Sequence, residues 1–316
     1  MLAHLLLDLF SSVTAWFEGW AVAWAAALAA ALAALPALAR FGFAAVIGLV
    51  FGSFLSVVVY RLPIMLQRTW ERELQALAGT PDNAETPAAA PMVTFNLCVP
   101  ASNCTECGHP LRIWENLPLL SFVILRGRCS ACGTPIGWIY PVLEAGSALL
   151  AVACLWHFGV AWQAVAAFGL GATLLALAAI DARTGLLPDA ITLPLLWAGL
   201  LINLGGLFAS PSSAIAGAAA GYVTLWSVYW LFRLATGKEG IGYGDFKLFA
   251  ALGAWLGWQW LAPTLLIAAL AGACVGVAAL ALGRIERAQP LPFGPYLAAA
   301  ALIVMFGTNA LYGLGL

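Results

Sequence analysis

Residues 248–283 read LFAALGAWLGWQWLAPTLLIAALAGACVGVAALALG, and no acidic or basic side chain interrupts them. A helix on the surface of a soluble protein carries a charged face opposite its apolar stripe. This stretch has no such face. It divides near Gly257 into apolar segments at about 246–258 and 260–283, the second long enough to cross a bilayer as a helix. Similar segments recur on either side, at about 14–38, 42–60, 141–158, 161–180, 190–208, 213–235 and 293–312. Across the 316 residues, 63% are hydrophobic and 9% charged, and the mean hydropathy is +0.96. A soluble domain carries about 25% charged residues. Lipid is therefore the expected solvent for most of the chain. Lipid requires backbone polar groups to be satisfied within each segment, and continuous apolar runs do that as helices.

One polar block, 61–140, breaks the pattern. Its first part, 66–96, reads as a short helix and a loose loop, and its second, 98–135, holds two cysteine pairs. Lys and Arg positions set the orientation. If the block is cytoplasmic, alternate crossings return Arg183, then Arg233, Lys238 and Lys247, then Arg284 and Arg287 to the same side. The opposite loops carry none, and Arg40 is the one exception. The expected fold is an all-α polytopic membrane protein with eight transmembrane helices after Arg40, or nine if 14–38 spans. A small cytoplasmic zinc-binding module sits between the first core helix and the next. The expected divisions are an apolar extension (1–41), a first core helix (42–60), a cytoplasmic domain (61–140) and a membrane domain (141–316). No Lys or Arg precedes Arg40, so no cleaved leader is expected. The net charge of −1 and the lack of a basic stripe give no reason to expect a nucleic-acid partner.

The cysteine pairs are Cys104-x2-Cys107 and Cys129-x2-Cys132, each followed by glycine, at Gly108 and Gly133. Glycine there lets backbone N–H groups turn toward thiolate sulfurs. Four thiolates suit a tetrahedral structural zinc, the alternatives being two disulfides or free thiols. His109 need not bind beside four cysteines. Cys98, Cys154 and Cys274 read as small apolar residues.

Charges in spanning segments are costly and mark function. Four acids fall near helix ends on the expected cytoplasmic side: Glu144, Asp181, Asp189 and Asp245. Asp189 follows Pro188 and reads as the N-cap of the next helix. Glu144 reads as a first-turn acid favoured by the helix dipole. Asp181 has no such excuse, because it ends a helix where the dipole disfavours negative charge. Asp245 stands in Gly-Ile-Gly-Tyr-Gly-Asp-Phe-Lys, with Gly242 and Gly244 permitting tight turns and Lys247 as a local counter-ion or headgroup contact. If Asp181 and Asp245 meet, they cannot both ionise cheaply, and such a pair can activate water and protonate a leaving amine.

These motifs together resemble the type IV prepilin peptidases, which are leader peptidases with N-methyltransferase activity and GxGD-type aspartic membrane proteases. Gly242-Tyr-Gly-Asp-Phe-Lys247 is similar to the GxGD signature, and Ile180-Asp with Leu186-Leu-Pro-Asp189 is similar to the first aspartate motif. Gly52-Ser-Phe-Leu-Ser-Val-Val-Val-Tyr-Arg-Leu-Pro63, Trp114-Glu-Asn-Leu-Pro-Leu-Leu-Ser121 and Pro292-Phe-Gly-Pro-Tyr296 resemble further family segments. Ser56 departs from the Asn the family usually has. The resemblance implies prepilin and pseudopilin substrates cleaved at the cytoplasmic face of the bacterial inner membrane. It implies methylation of the new N-terminus from S-adenosylmethionine, with Asp181 and Asp245 as the catalytic pair. Its cofactor site is not legible in the sequence. Two other classes compete: an ion or proton transporter using the carboxylates as a relay, and an assembly factor that docks a partner through the cysteine module.

Overall fold

The computed structural model describes residues 23–24, 26–27, 29–77, 95–238, 240, 242–283 and 291–313. Among them the protein is helical, with no β-strand and only two isolated bridges in the cysteine module. The elements are α1 (Ala37–Leu77), α2 (Leu120–Ile124), α3 (Ile139–Phe158), α4 (Trp162–Thr184), α5 (Asp189–Ile202), α6 (Pro211–Thr236), α7 (Tyr243–Leu256), α8 (Leu261–Ala281) and α9 (Gly294–Gly313). Five helical segments are long and apolar enough to cross a membrane: α1, α3, α4, α6, and α8 with its lead-in from Trp258. The protein is a multi-pass membrane protein. The shorter α5 and α7, with the apolar segment Gly294–Gly307 of α9, complete the bundle.

Expectation and structure part at α1. The apolar segment 42–60 and the short helix after residue 66 form one helix of 41 residues that runs through Pro63. At 1.5 Å per residue it is about 60 Å long, roughly twice the hydrocarbon thickness. The polar turns continue the helix in water, where charge does not end it. The segment 14–38 is described only in part: residues 29–34 are helical, and Pro36 precedes α1. Whether it spans, and the loop 78–94, Arg284 and Arg287, lie outside the described residues.

α7 is the innermost helix. Asp245, Phe246 and every residue from Leu248 to Leu256 are buried. A helix apolar on all sides needs neighbours on all sides, and α5 and α6 supply most of them. Glycines bring the backbones together. A Cβ on Gly253 would overlap the Gly217 carbonyl oxygen, and one on Gly217 the Gly253 carbonyl oxygen. α1 meets α3 in the same way, where a Cβ on Gly48 or Gly52 would lie 2.5 Å from the Cα of Ala148 or Glu144. Small residues at helix contacts are how membrane helices gain packing without a hydrophobic driving force.

The helix ends sort into two sets. At one end Tyr60 meets Arg183 by a cation–π contact, Asp189 meets Lys247, and Asp181 meets Gly294. At the other, buried Asn203 donates to the carbonyls of Ala254 and Trp255 and accepts the N–H groups of Phe208 and Ala209. There Ser213 also donates to Gln259, and Phe158 packs on Phe208. Arg40 lies at this second end, beside Gly159 and Val160.

Gly253→Ala should destabilise the bundle by about 1–3 kcal/mol through overpacking of α6 on α7. Gly169→Ala, with nothing near its added methyl, should be neutral. Thermal unfolding midpoints in detergent check both.

Candidate active site and metal centre

Asp181 sits in the last turn of α4 and Asp245 in the first turn of α7, and both are buried. Gly185 closes α4 with a left-handed φ of +66° and donates its N–H to the Asp181 carbonyl. The chain then doubles back through Leu187 to α5. Gly244 and Gly294 both press on Leu187: an added Cβ would lie 2.6 Å from the Leu187 Cβ at Gly244, and 3.2 Å from Leu187 Cδ2 at Gly294. The starts of α7 and α9 thereby close on the end of α4. Asp181 and Asp245 come within electrostatic reach of each other.

Each carboxyl is fixed by one backbone donor. Gly294 N–H donates to Asp181 Oδ2 at 2.8 Å, and Gly242 N–H donates to Asp245 Oδ2 at 3.1 Å. Oδ1 of Asp245 is buried with no partner among the described residues. A buried oxygen left free is unusual and calls for an explanation. The Gly294 donor was not foreseen from the sequence, although a glycine between Phe293 and Pro295 was a cue to a backbone that something approaches closely.

The other acids are not used as the sequence suggested. Pro188 occupies the N-cap of α5, and Asp189 makes no capping bond. Instead its two oxygens accept from Lys247 Nζ at 2.6 and 2.7 Å, tying the start of α5 to the second turn of α7. Lys247 is therefore a counter-ion. Glu144 lies in the second turn of α3, because the helix begins at Ile139. It accepts the Leu119 N–H at 2.8 Å and lines a cavity at the cysteine module, away from the contacts that hold the aspartates. Beside Asp245, Phe246 joins Tyr229 and Tyr243 in an aromatic cluster in which the two tyrosine hydroxyls are 3.3 Å apart.

The cysteine module is two copies of one turn. Cys104 N–H donates to the His109 carbonyl and Gly108 N–H to the Cys104 carbonyl, and Cys129 with Thr134 and Gly133 repeats both bonds. Gly108 and Gly133 have φ of +71° and +72°. The four sulfurs lie within 4.8 Å of one another, with Cys104–Cys132 at 3.8 Å and Cys107–Cys129 at 4.0 Å. Thiolates about 2.3 Å from a tetrahedral ion stand about 3.8 Å apart, so this set can bind a metal. The Thr134 hydroxyl and N–H draw Cys132 down to about 6. Cys107, though favoured as thiolate by the His109 N–H, is pushed up to about 12 by desolvation and its sulfur neighbours. His109 turns to Glu115 instead, at 3.3 Å. The Glu115 carboxyl is held below the usual carboxylate range by the Arg112 N–H, then by Ser130 and His109.

Arg61 joins the module to α1. It is buried, and donates to the carbonyls of Asn96 and Leu97 at 3.0 and 3.4 Å. Arg68 lies over the Phe95 ring.

Fold and site define a polytopic helical membrane protein with two buried carboxyls at one end of its bundle and a four-cysteine module that can bind a metal. The family model described as Type IV leader peptidase family matches residues 168–277, and that described as Bacterial Peptidase A24 N-terminal domain matches 46–158. A "Prepilin leader peptidase/N-methyltransferase" of Burkholderia pseudomallei (strain 1026b) is 56% identical over 87% of this chain and 88% of its own length. Proteins of the same name from Pseudomonas putida and Aeromonas hydrophila are 51% and 49% identical, over 85% and 84% of this chain and 91% and 90% of their own lengths. The chain belongs to the type IV leader peptidase family. No solved structure matches it.

Purified protein should carry one metal ion per chain by elemental analysis. Changing Cys129 and Cys132 to serine should reduce this to near zero.

Proposed function

We propose that the protein cleaves the leader from type IV prepilins and pseudopilins at the cytoplasmic face of the bacterial inner membrane and then N-methylates the new N-terminus. The meeting of Asp181 and Asp245 carries the proteolytic half. Peptidase names at about half identity over most of the chain support it. Against a transporter, the acids of the described spanning bundle lie toward helix ends, and none lies at the middle of a span. An assembly factor would have no use for two buried carboxyls within electrostatic reach of each other.

The chemistry follows from the geometry. One carboxyl enters ionised and takes a proton from water as its oxygen attacks the scissile carbonyl. The other enters protonated and donates a hydrogen bond to the carbonyl oxygen. It then passes its proton to the leaving amine as the C–N bond breaks. The Gly242 and Gly294 N–H groups hold one oxygen of each aspartate, leaving the others for water and substrate. α7 has 14 residues and a length of about 21 Å, short of the hydrocarbon thickness. Its Asp245 end can therefore stand at the boundary, where a membrane-bound prepilin presents its cleavage site.

The charge pattern supports a cytoplasmic active site. Arg183, Arg233 and Lys247 lie near helix ends on the aspartate side, Arg61 follows Tyr60 of α1, which meets Arg183, and the described opposite end has Arg40. We assign zinc to Cys104, Cys107, Cys129 and Cys132, where a closed four-thiolate site is structural and fastens a module too small for a core of its own. S-adenosylmethionine is the methyl donor implied by the relatives' names. We divide the chain into the apolar extension (1–41), the first core helix (42–60), the cytoplasmic module (61–140) and the peptidase domain (141–316).

Asp181→Asn and Asp245→Asn should each reduce cleavage of a prepilin in detergent by about a thousandfold or more, with metal content unchanged. Either variant cleaving at the wild-type rate would end the proposal. Gly294→Ala puts a methyl 2.7 Å from Asp181 Oδ2. A displaced catalytic group costs about a hundredfold, so this variant should lose cleavage on that scale while still folding.

A further inference from the structure

A cavity of about 200 Å³ lies where the cysteine module meets the middle of α1 and the start of α3. Ser53 and Ser56 of α1 and Tyr140 and Glu144 of α3 form one wall, and Glu115 and Phe122 of the module face them. Glu115 and Glu144 are both buried. No Lys, Arg or His lines the cavity. Carboxylates outnumbering cations in a buried space favour a cationic guest and oppose a phosphate-bearing one. Serine and threonine hydroxyls around the wall suit a polyhydroxylated ligand, and the aromatic rings offer faces to a cation.

A second cavity of about 460 Å³ adjoins it, shares Val57, Tyr140 and the segment 102–105, and adds one cation, Arg61, and one acid, Glu106, so that across both cavities three carboxyls face one guanidinium. The two together reach the size of a cofactor site. Tyr140 also lies within electrostatic reach of Tyr60 and Arg183. Arg183 is two residues from Asp181. The acidic cavity is thus linked by side chains to the helix end that carries the cleavage site.

We propose that these joined cavities bind the sulfonium methyl donor, with Glu144 and Glu115 supplying the negative potential that selects its cation. This rests on the methyltransferase half of the function above, and deepens it by assigning the donor site to this chain's residues. The freshly cut N-terminus, having given a proton to solvent, forms a C–N bond to the methyl carbon. The C–S bond breaks with its electron pair on sulfur, leaving a neutral thioether. The departing product lacks the charge that the carboxylates hold, which favours its release. Ser56 lines this cavity with its hydroxyl donated to the Ser53 carbonyl at 2.6 Å.

The test is equilibrium binding by calorimetry to the full-length, metal-loaded protein in detergent. S-adenosylmethionine, S-adenosylhomocysteine and an analogue bearing an amine in place of the sulfonium are the probes. The wild type should bind the two cationic probes at least tenfold more tightly than the thioether. Glu144→Gln keeps an acceptor for the Leu119 N–H but removes the charge, and should erase that preference with little change for the thioether. Glu115→Gln should weaken it in the same direction. Thr105→Trp, which fills the space shared by the cavities, should weaken all three probes at least tenfold. It also decides the matter if Glu144→Gln loses its metal. Wild-type preference retained within twofold by both glutamine variants, or undiminished binding by Thr105→Trp, overturns the assignment. A wild type that binds none of the probes and methylates nothing overturns the methyltransferase reading beneath it.

Discussion

A carboxyl group buried among helices is costly unless something holds its charge, and two of them repel when they share the space. The bundle accepts that cost at Asp181 and Asp245. What holds them is backbone: one N–H from Gly242, one from Gly294. No lysine or arginine forms an ion pair with either aspartate among the described residues. A cation there would keep both groups ionised and remove the asymmetry that hydrolysis needs. The nearest ion pair, Asp189 with Lys247, is spent on positioning the two helix starts.

The rest of the architecture serves that meeting. α7 is buried on all sides because its first turn must reach inward, and glycine contacts with α6 make the close packing available. Gly185 turns the chain after Asp181, and Leu187 becomes the common surface for Gly244 and Gly294. The cysteine module stands on the extended end of α1 through Arg61, Asn96 and Leu97. Its metal set, its two repeated turns and Glu115 give it order that a segment of this size could not derive from apolar burial.

Much of this was legible in the sequence because lipid simplifies the rules. Apolar runs and the scarcity of charge gave an all-helical membrane protein, and cysteine spacing gave a cluster whose sulfurs do converge. Local signals were less reliable where tertiary contacts decide. Asp189 has the position of a capping residue, yet Lys247, far away in sequence, claims it. Glu144 has the look of a helix-dipole acid, yet it holds the Leu119 backbone and faces a cavity. Nothing local told that α1 would run on to Leu77, since a charged stretch can continue a helix as readily as end one. Gly294 donates to a residue more than a hundred positions away, a contact no periodicity encodes.

The convergence of the two aspartates can be read directly by trapping. In a chain whose Cys98, Cys154 and Cys274 are replaced by serine, Asp181→Cys and Asp245→Cys are combined and treated with a mild oxidant or a short thiol cross-linker in membranes. The account predicts a bridge within a single chain, since a disulfide forms across about 4.4–6.8 Å between Cα atoms and a linker extends that reach. If both cysteines react singly with a thiol reagent and never join, even through the linker, the two residues do not share a site.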